Sequence, residues 1–167
     1  MPPRAQKAET RRFIAVDHVR CTGCKACETT CSLWHFGECN PARSAIRVVR
    51  KEKDGLVSCL PLVCQQCEPA PCLEACPTGA LSRAGGVLAS DSQTCTGCQL
   101  CVEACPAGCL RFDREKNAVI SCDLCGEEPR CVLICHAGCL SVAESQQPAP
   151  GAARLAELLK GLGEERG

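Results

Sequence analysis

Sixteen of the chain's twenty cysteines fall into four groups of four, and this spacing constrains the fold more than any other feature of the 167 residues. The first group is Cys21, Cys24, Cys27 and Cys31, spaced C-x2-C-x2-C-x3-C. The third, Cys95, Cys98, Cys101 and Cys105, repeats that spacing and is followed by Pro106. The second (Cys64, Cys67, Cys72, Cys76, then Pro77) and the fourth (Cys122, Cys125, Cys131, Cys135, then His136) are the same motif with longer middle spacers. The repeat extends to neighbouring residues. CTGCKAC at 21–27 matches CTGCQLC at 95–101, and CLEACPTGAL at 72–81 resembles CVEACPAGCL and CVLICHAGCL.

Cysteines in such numbers are either disulfides or metal ligands, and the compartment decides between them. The polar, basic start from Met1 to Arg12 is not followed by the run of about 7–15 apolar residues that a secretory signal needs. Arg11-Arg12 leads into Asp17, His18 and Arg20, where a twin-arginine signal would be apolar. The expected location is therefore cytoplasmic, with the thiols as metal ligands. No stretch of about 18 apolar residues is present to span a membrane. Zero formal net charge, with no basic block, argues against a nucleic-acid partner.

C-x2-C-x2-C-x3-C-P is the run by which bacterial ferredoxins hold [4Fe-4S] cubes, its fourth cysteine ligating the other cluster. Each iron of a cube already has three sulfides, so one thiolate completes its tetrahedron. Three closely spaced thiolates loop around one cube, and the fourth, a helical turn on, points to a neighbour. Two pairings are compatible with the spacing. In the nested one, the central groups form one module, with Cys64, Cys67, Cys72 and Cys105 on one cluster and Cys76, Cys95, Cys98 and Cys101 on the next. The outer groups then give Cys21, Cys24, Cys27 and Cys135 on a third, and Cys31, Cys122, Cys125 and Cys131 on a fourth. The other pairing joins first with second and third with fourth. Paired C-x2-C motifs also build zinc sites, but four quartets ending in C-x3-C match those poorly.

The chain has three Phe, one Trp and no Tyr, so the rings that usually fill a core are nearly absent and metal must take over part of that work. Cys109 and Cys139 stand where the second group has Ala80, which marks the position as small and apolar, and both are read as packing residues. Cys39 and Cys59 are read the same way. His136 replaces the motif proline, and either a hydrogen bond to its cluster or plain solvent exposure suits it. Short alternating runs at 45–49, 56–59, 87–89, 110–112 and 118–120 read as hairpins. The segments 71–76 and 99–105 suit one or two helical turns, with Pro71 and Pro129 at helix starts. Leu155, Leu158, Leu159 and Leu162 recur at helical spacing, an amphipathic stripe suited to its own domain or to another subunit.

The expected fold is α+β: two ferredoxin-like modules, each with two [4Fe-4S] clusters, short helices and β-hairpins, plus a C-terminal amphipathic helix. Along the chain this gives a basic arm at 1–12 and a four-cluster domain at 13–144. An inner module occupies 60–110, and the first and fourth groups form the outer one. A linker at 145–151 and a docking helix at 152–167 follow.

Over roughly 13–144, the order of the four groups, SLWHFGECNPARSAIRV after the first, and QQCEPAPCLEACPTGAL resemble the four-cluster iron-sulfur subunits of molybdenum and tungsten enzymes of the dimethyl sulfoxide reductase type. The CSLWHFGECNP stretch looks most like the small subunits of tungsten aldehyde oxidoreductases and benzoyl-coenzyme A reductases. The resemblance implies the nested pairing. It also implies a non-catalytic electron-transfer role, a large tungsten or molybdenum pterin subunit as partner, and exchange with a flavin (FAD) subunit or a ferredoxin. A free-standing polyferredoxin, or the iron-sulfur subunit of a hydrogenase or formate dehydrogenase, are the alternatives.

Overall fold

The computed structural model describes residues 11–53 and 55–145. In chain order these form β1 (Arg11–Val16), α1 (Ala26–Phe36), β2 (Ile46–Lys53), β3 (Leu56–Val63), α2 (Pro71–Glu74), β4 (Leu81–Ala84), β5 (Val87–Ser90), α3 (Leu100–Glu103), β6 (Arg111–Asp113), β7 (Ala118–Ile120), α4 (Arg130–Ile134) and β8 (Leu140–Ser145). The strands make four two-stranded antiparallel sheets, β1 with β8, β2 with β3, β4 with β5 and β6 with β7. This is a small α+β architecture of short helices and hairpins. β1 takes in Arg11 and Arg12, the last residues of the expected basic arm, and β8 ends on Ser145, the first residue of the expected linker. The leucine stripe and the helix at 152–167 lie outside the described residues. Among the described residues, no helix is long and apolar enough to cross a membrane.

Three of the sheets are local hairpins, and the fourth closes the chain on itself. Arg11 pairs with Ser145 and Val16 with Leu140, so the strand before the first cysteine group lies against the strand after the last. α1 packs on α4 and α2 on α3, which pairs the helices of the outer groups and those of the inner groups.

β2 and β3 form the longest hairpin; β2 alternates between buried and part-exposed residues, whereas β3 is buried without interruption from Cys59 to Val63. Ile46, Val48, Leu60, Leu62 and Val63 are buried, whereas Leu56 and Val57 near the turn are exposed. Pro61 sits within β3 opposite Val48, a position where a missing N–H costs little on a two-stranded ribbon. The outward N–H of Val48 donates instead to Glu28 Oε1 at 2.6 Å, a buried carboxylate in the first turn of α1, where the helix dipole favours negative charge.

The interior contains no fully buried aromatic ring: Phe13, Phe36 and Phe112 are half-buried and Trp34 is exposed. Ile14, Ile46, Leu62, Val63 and Leu124 form its centre, with cysteine sulfur packed among them. Arg43 binds the first half of the chain to the β6–β7 hairpin. Its guanidinium donates to Asp113 Oδ2 at 2.6 Å and 3.1 Å and to Glu38 Oε1 at 3.0 Å, and lies 4.3 Å from the centre of the Phe36 ring.

Leu62 is wholly buried, so Leu62→Ala leaves a void that so thin a core cannot refill. The substitution is expected to cost about 2–5 kcal/mol, read as a lowered midpoint in anaerobic urea unfolding.

Candidate metal centre

The first C-x2-C loop of each group turns by the same backbone device. Its third residue takes a left-handed conformation in all four groups: Gly23 at φ 71°, Gln66 at 49°, Gly97 at 70° and Leu124 at 60°. Glycine adopts this at no steric cost, but Gln66 and Leu124 must be held there. Gln66 is buried, donates through Nε2 to the Cys122 carbonyl at 2.7 Å and accepts from Leu88 N–H at 2.9 Å. Leu124 is 2% exposed and is locked by packing. Gly23 is needed for space as well, since a Cβ there would lie 2.5 Å from Cys59 Sγ.

These loops bring the sixteen cysteines into four cavities of similar size. Cys64, Cys67, Cys72 and Cys105 line one of about 410 Å³. Cys76, Cys95, Cys98 and Cys101 line the second, about 330 Å³. Cys31, Cys122, Cys125 and Cys131 line the third, about 310 Å³, and Cys21, Cys24, Cys27 and Cys135 the fourth, about 310 Å³. Every quartet takes three cysteines from one group and one from another. Each helix straddles two cavities: α1 carries Cys27 and Cys31, α2 leads from Cys72 to Cys76, α3 from Cys101 to Cys105, and α4 from Cys131 to Cys135.

The electrostatics divide the thiols into two kinds. Burial pushes Cys27 and Cys131 up to about 12 and Cys72 to about 11, and raises Cys64, Cys67, Cys101, Cys122 and Cys125 as well. The cysteines that close groups two to four go the other way. A hydrogen bond from the Cys109 thiol, joined by the amides of Cys109, Ala107 and Leu110, lowers Cys105 to about 6. Burial alone would raise Cys76 and Cys135, but hydrogen bonds outweigh it and both come down. The amide donors sit two, four and five residues beyond the sulfur in all three: Thr78, Ala80 and Leu81; Ala107, Cys109 and Leu110; Ala137, Cys139 and Leu140. The turn after each C-P or C-H is thus a small anion-binding nest. Cys31, where α1 runs on to Phe36, receives a distant amide instead, Ala45 N–H at 3.4 Å.

Four thiols around each cavity are a soft donor set suited to iron or zinc. A thiolate that is costly to bury on its own becomes stable against a cation, so the donor set fits a metal cluster that takes four sulfurs.

Several neighbours of these cavities carry no spacing signal. His35 Nε2 lies 3.6 Å from Cys125 Sγ and 3.5 Å from Asp123 Oδ1. His136 is exposed, with Nδ1 3.9 Å from Cys24 Sγ. Arg83 donates to the Cys67 carbonyl. Of the four remaining cysteines, Cys59, Cys109 and Cys139 are buried, the last two against cavity sulfurs. Cys39 is exposed, contrary to the packing role expected of it, because it falls in the turn that follows the helix-ending Gly37.

A family model described as a 4Fe-4S dicluster domain matches residues 56–145, and a 4Fe-4S binding domain matches residues 20–34. The chain belongs to the 4Fe-4S dicluster family. It is 41% identical over 135 residues to the polyferredoxin-like subunit of the aliphatic sulfonate oxidoreductase of Pyrococcus furiosus, covering 79% of this chain and 76% of that one. It is 33% identical over 188 residues to the iron-sulfur subunit of the nitrate-inducible formate dehydrogenase of Escherichia coli, covering 97% of this chain but 63% of that subunit's length. A chain of the benzoyl coenzyme A reductase active-site complex is 26% identical, with 90% of each chain covered and a TM-score of 0.47.

Gly23→Ala is expected to destabilise the first loop by at least the ~1–2 kcal/mol that a left-handed L-residue costs, with the clash against Cys59 added. Pairing it with Cys59→Ala removes the clash and should recover part of the loss, measured by a double-mutant cycle in anaerobic denaturation.

Proposed function

We propose that the chain is a non-catalytic electron-transfer subunit of an oxidoreductase complex, holding four [4Fe-4S] clusters on sixteen cysteines. The observation that carries this is the set of four like-sized cavities, each lined by four thiols drawn three from one group and one from another. In this reading Cys64, Cys67, Cys72 and Cys105 hold one cluster and Cys76, Cys95, Cys98 and Cys101 the second, as an inner module. Cys31, Cys122, Cys125 and Cys131 hold the third and Cys21, Cys24, Cys27 and Cys135 the fourth, as an outer module. A [4Fe-4S] cube supplies one-electron redox chemistry when bound.

The protein's own part is to hold the thiolates, to aim amides at them and to keep bulk water out of the cavities. Contacts between cavities support a linear order. The two outer cavities share α1 and α4, and the two inner ones share α2 and α3. The halves meet where Gln66, in the wall of the Cys64 cavity, donates to the carbonyl of Cys122, a thiol of the neighbouring one. The ends of the series are then the Cys21 quartet and the Cys76 quartet.

The partner reading rests on relatives that are subunits of oxidoreductases, and on the likeness of the CSLWHFGECNP stretch to tungsten-enzyme small subunits. It assigns the chain to a tungsten or molybdenum pterin catalytic subunit of the aldehyde oxidoreductase kind, with a flavin subunit or another carrier as the second redox partner.

Anaerobically reconstituted protein is expected to be brown and to hold about sixteen iron and about sixteen acid-labile sulfide atoms per chain. Zinc without sulfide would overturn the cluster reading. Affinity purification from the native host is expected to bring down a pterin-containing large subunit in equal amount. Full iron content with no such subunit would mark a free-standing polyferredoxin instead.

A further inference from the structure

Cys139 is a fifth thiol in the wall of the cavity formed by Cys21, Cys24, Cys27 and Cys135, and it is 5% exposed. Its Sγ stands 3.4 Å from Cys135 Sγ. Cys109 holds the equivalent place, four residues after Cys105. The two thiols differ in what else they meet. Cys109 Sγ has carbonyl oxygens at hand, Val63 O at 3.1 Å and Ala107 O at 3.5 Å, which compete with Cys105 for its proton. For Cys139, the side-chain hydrogen-bond partner found among the described residues is the Cys135 sulfur.

A sulfur bonded to iron is a thiolate and carries no proton. Between Cys135 and Cys139, therefore, only Cys139 can donate. We propose that Cys139 is a hydrogen-bond donor to the cluster held by Cys21, Cys24, Cys27 and Cys135, aiming its S–H at a ligand sulfur and raising that cluster's reduction potential. The inference rests on the four-cluster reading above. A single electron added at this cavity puts extra negative charge on the sulfurs, and a donor aimed at them stabilises the reduced form more than the oxidised one. No bond is made or broken in the step, and the proton stays on Cys139.

The repeat supplies its own control. The second group carries Ala80 at this position, 3% exposed, so the fold accepts a methyl group there. Cys139→Ala removes the donor, Cys139→Val removes it while keeping more of the volume, and Cys139→Ser keeps a donor. The experiment is an anaerobic potentiometric titration followed by electron paramagnetic resonance on the whole chain, each sample first assayed for iron and sulfide.

With iron content equal to wild type, Cys139→Ala is expected to lower the midpoint of one cluster. At fixed potential its reduced-to-oxidised ratio should fall by up to about tenfold, which is 59 mV for a one-electron couple. Cys139→Ser should stay nearer the wild-type value. Should Cys139→Ala lose iron, Cys139→Val carries the same test. An unmoved midpoint, or equal shifts in the Ser variant and a donor-free one, overturns the donor role and leaves the four-cluster reading standing. Wild-type protein far short of four clusters overturns both.

Discussion

Sulfur that must carry charge inside a protein is the constraint on which this structure turns. Sixteen thiols are gathered four to a cavity, and burial makes half of them reluctant to ionise. Two things offset that cost. Backbone amides converge on the sulfurs of Cys76, Cys105 and Cys135, and a metal cluster of the kind implied by the donor set would balance the rest. The thin aliphatic interior, without a buried ring, follows from the same division of labour. Stability that larger proteins take from packed side chains is assigned here to bonds between sulfur and metal.

The loops that carry the thiols repeat more faithfully in backbone than in sequence. Gly23 and Gly97 reach the left-handed region by having no side chain, whereas Gln66 and Leu124 reach it because buried contacts hold them there. Gln66 serves twice, fixing its own loop and bonding to the Cys122 carbonyl of the fourth group. A residue that looks like an arbitrary polar spacer in C-Q-Q-C is in fact a joint between the two halves of the chain.

The four cysteine groups were legible because thiol spacing is a covalent signal, but spacing left two pairings of the groups open, and which sulfurs line one cavity depends on the packing of α1 on α4 and of α2 on α3. The runs that form β2, β3, β5, β6 and β7 and the short helices at Pro71 and Leu100 followed from alternation and turn residues. The pairing of β1 with β8 was not legible, since Arg11–Val16 and Leu140–Ser145 lie far apart in sequence and neither carries a register signal. The length of α1 was hidden for a related reason. Helix propensity is weak in CETTCSLWHF, and the helix is held by packing on α4 and by the link from Glu28 to Val48. His35 is brought to its cavity by that tertiary packing, and spacing says nothing about it; Cys139 is placed by the local turn after Cys135, and the repeat marked it only as a small, apolar position.

The straddling helices bear on how such a protein is built and how it fails. A single turn of helix joins a thiol of one cavity to a thiol of the next, so neither site of a pair has its complete ligand set until both are in place. Construction is therefore cooperative within a pair, and oxidative damage to one site loosens the scaffold of its twin. The unit that evolution can duplicate, swap or lose is the couple of sites and not the single one.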